Sequence, residues 1–219
     1  MTASQTVKRE KQAAGEAAAA LVEDGMTVGL GTGSTVAAFL PALASRGLGL
    51  RCVATSPRTE EAARRLGLRV ESFDRFERLD IAVDGADQVA PTGWLVKGGG
   101  GAHTREKIVA AAADRFVVIV SEDKLVDAIG PPVPLELLAF GAEATLSLVE
   151  PTRLRDLPRS PDGGLLADYL GPVDDAELLA GRFSAAPGVV EHGLFAPDLV
   201  DEIVVARESG VEWLARESP

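Results

Sequence analysis

The sequence predicts an α/β protein: a parallel-sheet domain with a second, smaller α+β domain. Three observations carry this. Short apolar runs alternate with helix-patterned runs from residue 6 to residue 122. The segments "GTGST", "DGAD" and "SEDK" each begin where an apolar run ends, and ligands of parallel sheets bind at the carboxyl ends of strands. The composition then changes at "GPPVPLELLAFG" (130–141), which opens with three prolines in five residues.

Taken in order, residues 6–24 read as a helix stopped by Gly25, and 26–31 ("MTVGLG") as a buried strand. A helix follows over 34–47, interrupted or bent near Pro41, then a strand at 50–55 ("LRCVAT"). Residues 57–67 read as a helix closed by Gly67, 68–72 ("LRVES") as a short strand, and "LDIAVD" as another. A helix is expected over 104–114 and a buried strand over 115–122. The smaller unit reads as a helix around 135–149, a strand near 152–157, a turn at "SPDGG", a strand at "LLADYL" and a helix at 174–185. Residues 201–214 resemble a last strand and turn that rejoin the first domain. The expected division is therefore 1–130 with 201–219, and 131–200.

Composition excludes several classes. Hydrophobic residues make up 46% and charged residues 25%, which suits a packed core. Net charge is −11, with 22 Lys and Arg against 33 Asp and Glu, so general affinity for nucleic acid or an anionic membrane is not expected. Aromatics at 5% disfavour a stacking platform for single strands. Any anionic ligand must be held by a local cationic pocket. The single cysteine, Cys52, lies in an apolar run and reads as a buried strand residue. His103 and His192 are too few and too far apart for a usual zinc site. The N-terminal alanine run carries Glu16 and Glu23 and has no secretory pattern. No run of about 20 apolar residues could span a membrane. A cytoplasmic location is the expectation.

"GLGTGST" (29–35) lies between a strand and a helix. Its backbone amides, with the hydroxyls of Ser34 and Thr35, form a candidate anion site. It fits neither the dinucleotide fingerprint nor the P-loop: Ser34 stands where the third fingerprint glycine belongs, and no lysine follows the last glycine. A tight strand–helix turn is the alternative. "VDGAD" sets Asp84 and Asp87 three residues apart, either as a pair for sugar hydroxyls or as a solvated turn. "KGGGGAHTREKIVA" (97–110) places Lys97 and four glycines before a helix whose first turn carries Glu106. A carboxylate base beside a cation and exposed amides suits removal of a proton α to a carbonyl. The alternative is a first-turn glutamate that only favours the helix.

As a set, "GLGTGST", "VDGAD", "KGGGGAHTREKIVA" and "SEDKLV" resemble the A-type ribose-5-phosphate isomerases, and the resemblance extends through "PVPLELL" and "PGVVEHGLFA". It implies a Rossmann-like domain, a small α+β domain, and an aldose–ketose isomerase working without metal or other cofactor. It implies that ribose 5-phosphate and ribulose 5-phosphate interconvert through a cis-enediolate, a step of the non-oxidative pentose phosphate pathway. By resemblance, Glu106 is the base, Asp84 assists ring opening, and Lys97 steadies the negative charge. Thr32, Gly33, Ser34, Thr35, Asp84, Gly85, Ala86, Asp87, Lys97, Gly98, Gly99, Gly100 and Lys124 would bind the substrate, with Lys11 near them. A homodimer or homotetramer is implied. Gln88 and His103 depart from the residues usual in the family. Two rivals, a sugar-phosphate sensor and a CoA-transferase with a glutamate nucleophile, are separated from this reading by a ketose assay on ribose 5-phosphate alone.

Overall fold

The computed structural model describes residues 2–215. Met1 and 216–219, which the sequence reading placed in the first domain, lie outside the described residues. Two compact units emerge. The first holds the chain up to Ala86, Arg105–Leu125 and the chain from Asp198; the second holds Asp87–Thr104 and Val126–Pro197. The division drawn from the sequence differs chiefly in keeping 87–104, with the glycine run, in the first part.

In the first unit a six-stranded sheet is built from β1 (Thr27–Leu30), β2 (Arg51–Ala54), β3 (Ile81–Asp84), β6 (Phe116–Ser121), β12 (Glu202–Arg207) and β13 (Gly210–Ala215). The order is β13-β12-β6-β3-β1-β2, parallel throughout except for the antiparallel β12–β13 edge pair. Strand β3 is buried along its whole length and so is β6. Strands buried on both faces read as continuous apolar runs, which is why "VVIV" shows no alternation. From β1 the chain first moves outward to β2 and then returns past β1 to β3. The order therefore reverses between β1 and β3, and such a reversal opens a crevice at the strands' carboxyl ends.

Helices α1 (Ala3–Ala19), α2 (Ser34–Ser45) and α3 (Pro57–Arg65) belong to this unit. Thr2 and Gln5 form a reciprocal capping box at the start of α1. Ser56 caps α3, and Pro57 stands at its first position, where a missing N–H costs nothing. The alanine-rich α1 packs on α2; a Cβ at Gly15 would sit 2.8 Å from the Phe39 backbone. Small residues there bring Ala14 and Ala18 against Val36, Phe39 and Leu43 in one apolar core. Pro41 is exposed and lies inside α2, which continues to Ser45.

One expected strand is absent. Residues 68–72 make a single bridge, Val70 to Cys52, rather than a strand. Glu71 there draws in both Arg51 and Arg69, each at 2.9 Å.

The second unit has an antiparallel sheet of order β10-β7-β9-β8 and a small sheet of order β11-β5-β4. Their strands are β4 (Gln88–Val89), β5 (Leu95–Val96), β7 (Val133–Leu137), β8 (Thr152–Leu154), β9 (Leu165–Tyr169), β10 (Val189–His192) and β11 (Leu194–Phe195). The helix expected around 135–149 is corrected here. Its first part is β7, a central strand buried at all five positions, and only α5 (Ala142–Leu148) is helical. A short apolar run gives no periodicity that separates buried strand from buried helix. Helix α6 (Ala176–Ala185) starts at Asp175, whose carboxylate accepts from the Leu178 amide at 2.9 Å. Phe183 from α6 packs edge-on against Tyr169 of β9.

Candidate active site

In the first unit, the candidate groups gather at the carboxyl ends of β1, β3 and β6. Gly31 leaves β1, Gly33 adopts φ +129, and α2 begins at Ser34. Few residues other than glycine hold that φ. Thr35 is buried in the first turn, while Gly33 and Ser34 are exposed. Lys11 reaches across from α1 and donates to Ser34 Oγ at 2.9 Å, so a cation stands beside the loop.

Asp84 ends β3. Its Oδ1 accepts from the Thr32 amide at 3.0 Å and from the Gly85 amide at 2.7 Å. A Cβ on Gly31 would collide with this carboxylate. The glycine-rich loop and the first aspartate of "DGAD" are therefore built around each other, across the β1–β3 reversal. A Cβ on Gly85 would stand 3.9 Å from the Thr35 side chain, and Ala86 follows it, half-buried. Lys124 lies in a short 3₁₀ turn, Glu122–Lys124, directly after β6. Its Nζ is 3.6 Å from Asp123, and about a third of its side chain is exposed.

Helix α4 (His103–Ala111) carries Glu106 in its first turn and packs on β1 where Val109 meets Gly29. Asp84, Lys97 and Glu106 are 2%, 2% and 3% exposed. Burial of this degree is uncommon for such side chains and marks groups held for a purpose or a partner.

The second unit holds the other candidates. Lys97 follows β5, its amide donates to the Gly193 carbonyl at 2.8 Å, and its Nζ lies 5.4 Å from the centre of the Phe195 ring. Of the glycines, Gly98 has φ +101 and Gly101 φ +73. A Cβ at Gly98 would stand 2.6 Å from the buried His103 ring, and one at Gly101 would strike Leu166. Gly99 and Gly100 are exposed. The Gly99 amide donates to Asp87 Oδ2 at 2.7 Å, and a Cβ on Gly99 would lie 2.9–3.0 Å from that carboxylate. The second aspartate of "DGAD" thus meets the glycine run.

Sequence reasoning missed several groups. Thr55 and Thr59 surround Thr32, with Thr32 Oγ1 2.8 Å from Thr55 Oγ1, and Thr59 Oγ1 donates to the Gly31 carbonyl at 2.9 Å. Glu136, buried in β7, accepts hydrogen bonds from the Thr104 and Ser160 hydroxyls, the former two residues before Glu106. Arg155 donates to the Gly98 carbonyl. A polar residue inside an apolar run, as Glu136 is in "PVPLELL", was the available signal for one of these; the threonines and Arg155 carry none. Among the described residues, no three or more His, Cys, Asp or Glu side chains group as a metal site. No described helix is long and apolar enough to cross a membrane.

These features define an α/β protein whose hydroxyls, carboxylates and cations collect at the carboxyl ends of its central strands. Residues 51–210 match the family described as ribose 5-phosphate isomerase A (phosphoriboisomerase A). Ribose-5-phosphate isomerase A of Caulobacter vibrioides is 44% identical, covering 92% of this chain and 96% of that protein. The solved ribose 5-phosphate isomerase A of Methanocaldococcus jannaschii superposes with a TM-score of 0.89 at 35% identity, covering 95% of this chain and 99% of that one. A D-ribose-5-phosphate isomerase in complex with phospho-erythronic acid gives a TM-score of 0.89 at 36% identity, covering 96% and 99%. The chain belongs to the ribose-5-phosphate isomerase A family.

Proposed function

We propose that this protein is an aldose–ketose isomerase that interconverts D-ribose 5-phosphate and D-ribulose 5-phosphate. Family membership gives the substrate class. The observation that carries the chemistry is Glu106, a carboxylate buried in the first turn of α4. A helix N-terminus favours the anionic form that a base requires.

The reaction moves a proton between neighbouring carbons. In this reading Asp84 first assists ring opening of the sugar. Glu106 then removes the C2 proton, electrons shift to the carbonyl oxygen, and a cis-enediolate forms. The same carboxyl then gives the proton to C1, while the O2 hydroxyl proton passes to O1, leaving a carbonyl at C2 and a hydroxyl at C1. Lys97 and the amides of Gly98 and Gly100 face the developing oxyanion, where preorganised donors lower a barrier most, while the Gly99 amide is taken by Asp87. Thr32, Gly33, Ser34 and Thr35, with Lys11 and Lys124, take the phosphate; Gly85, Ala86 and Asp87 take sugar hydroxyls. The Asp87–Gly99 hydrogen bond gives Asp87 a second task, to shape the run itself. The step needs no metal or other cofactor. A homodimer or homotetramer in the cytoplasm completes the reading, and sedimentation tests the assembly.

The direct test is incubation of the chelated protein with ribose 5-phosphate alone, followed by a ketose assay. Ketose should form, and ribose should turn over far more slowly, because binding energy from the remote phosphate positions the reacting carbons. No ketose, or activity that returns only with a divalent ion, would overturn the reading.

A further inference from the structure

We infer that Arg155, held by Asp168, is a positioning residue that locks the Gly98–Gly99 peptide group in the orientation the reaction needs. The inference rests on the proposed role of residues 97–100 and adds the device that sets their geometry.

A run of four glycines has little intrinsic preference for one backbone path. Donors that stabilise a transition state must already be aimed before the reaction. Within the run the Gly101 amide donates to the Gly98 carbonyl at 3.0 Å, and contacts from outside the run have to fix the rest. One peptide group in the run is held on both of its polar sides. Its carbonyl, from Gly98, accepts from Arg155 Nη1 at 2.9 Å. Its amide, from Gly99, donates to Asp87 Oδ2 at 2.7 Å. A flip of this peptide would turn the carbonyl toward a carboxylate and the N–H toward a guanidinium, so both contacts oppose it.

The arginine is itself fixed. Its side chain is 10% exposed, and Nη2 donates to Asp168 Oδ1 at 2.6 Å. Arg155 directly follows β8 and Asp168 lies on β9, which pair antiparallel through Leu154 and Ala167. The Arg155 amide continues this pairing to the Leu166 carbonyl at 2.9 Å. The planar fork is suited to this: one nitrogen meets the carboxylate while the other meets the carbonyl, a geometry that a lysine cannot copy.

The test uses the full-length protein with Arg155→Lys, Arg155→Ala and Asp168→Asn. Steady-state kinetics on ribose 5-phosphate should show kcat down roughly 10–100-fold for both Arg155 variants, the scale of a small misplacement of reacting groups. KM should move less than about threefold, because the phosphate handle is untouched. Asp168→Asn should fall between these and the unaltered protein. Amide exchange at Gly99 should quicken in Arg155→Lys, and this reads the clamp without turnover. Unchanged Gly99 exchange, or kcat within twofold in Arg155→Lys, would overturn the inference; should Arg155→Ala fail to fold, Arg155→Lys decides. An unaltered protein with slow Gly99 exchange and no isomerase activity would count against the isomerase reading and leave the clamp standing.

Discussion

At the scale of single residues, Gly31 and Gly99 are fixed by what stands next to them. Gly31 has the Asp84 carboxylate where its Cβ would be, and Gly99 has Asp87. Each glycine-rich segment is thus paired with one aspartate of "DGAD", a relation invisible in either motif alone. Gly31→Ala should therefore act on the site and on the fold together. The added methyl forces Asp84 off the Thr32 and Gly85 amides, an overpacking expected to cost roughly 1–3 kcal/mol. Denaturant unfolding should show that loss, and kcat should fall with it. A Gly31→Ala protein of unaltered stability and rate would mean that Asp84 has room to move.

At the scale of elements, the first unit was largely legible and the second in part: β8, β9 and α6 fall where the sequence placed them, whereas β4, β5, β7 and β11 do not. Alternating short apolar runs, Ser56–Pro57 at a helix start and glycines near helix ends located β1, β2, β3, β6 and α2 to α4 within a few residues, whereas α1 ends at Ala19, well before the stop expected at Gly25. These are local signals. Strands β4, β5 and β11 have two residues each; β4 and β5 pair as a short hairpin, and β11 joins β5 from far along the chain. The helix expectation for β7 failed because a strand buried on both faces has no period. The candidate site followed the same rule: motif residues offered themselves as candidates in the sequence, whereas Arg155 and Glu136 come beside Gly98 and Thr104 only through the fold. One inter-strand tie lends itself to a pH test. Asp80 Oδ2 accepts from the Thr27 hydroxyl and amide, both at 2.6 Å, joining the starts of β3 and β1. The Thr27 hydroxyl first, and then its amide, hold the Asp80 carboxyl below the ordinary range. A lowered folded-state pKa contributes stability above the unfolded value and loses it as pH falls through the folded one. Asp80→Asn should lower Tm by roughly 2–4 °C at pH 7. That difference should shrink as pH falls below the ordinary carboxyl range and vanish once the folded-state carboxyl is protonated. A gap that persists there would assign the effect to packing instead of charge.

At the scale of the whole molecule, a chain of net charge −11 is proposed to act on an anion. In the proposed reading the conflict is met locally, by Lys11 beside Ser34 and by Lys124 after β6. The proposed substrate groups are divided by sequence between two units. The loop 31–35, Asp84, Glu106 and Lys124 belong to the first; Asp87 and 97–100 belong to the second. Glu106 alone among them is proposed only for proton transfer, so its substitution separates that step from binding. The measurement that bears most directly on the isomerase reading is Glu106→Gln, assayed for turnover of ribose 5-phosphate and for binding of phospho-erythronic acid. Glutamine keeps the shape and hydrogen bonding of the side chain but cannot take a proton. The expected result is kcat lower by roughly 10²–10⁴-fold with analogue binding retained. Near-full activity in Glu106→Gln would contradict it, and the base would have to be sought elsewhere.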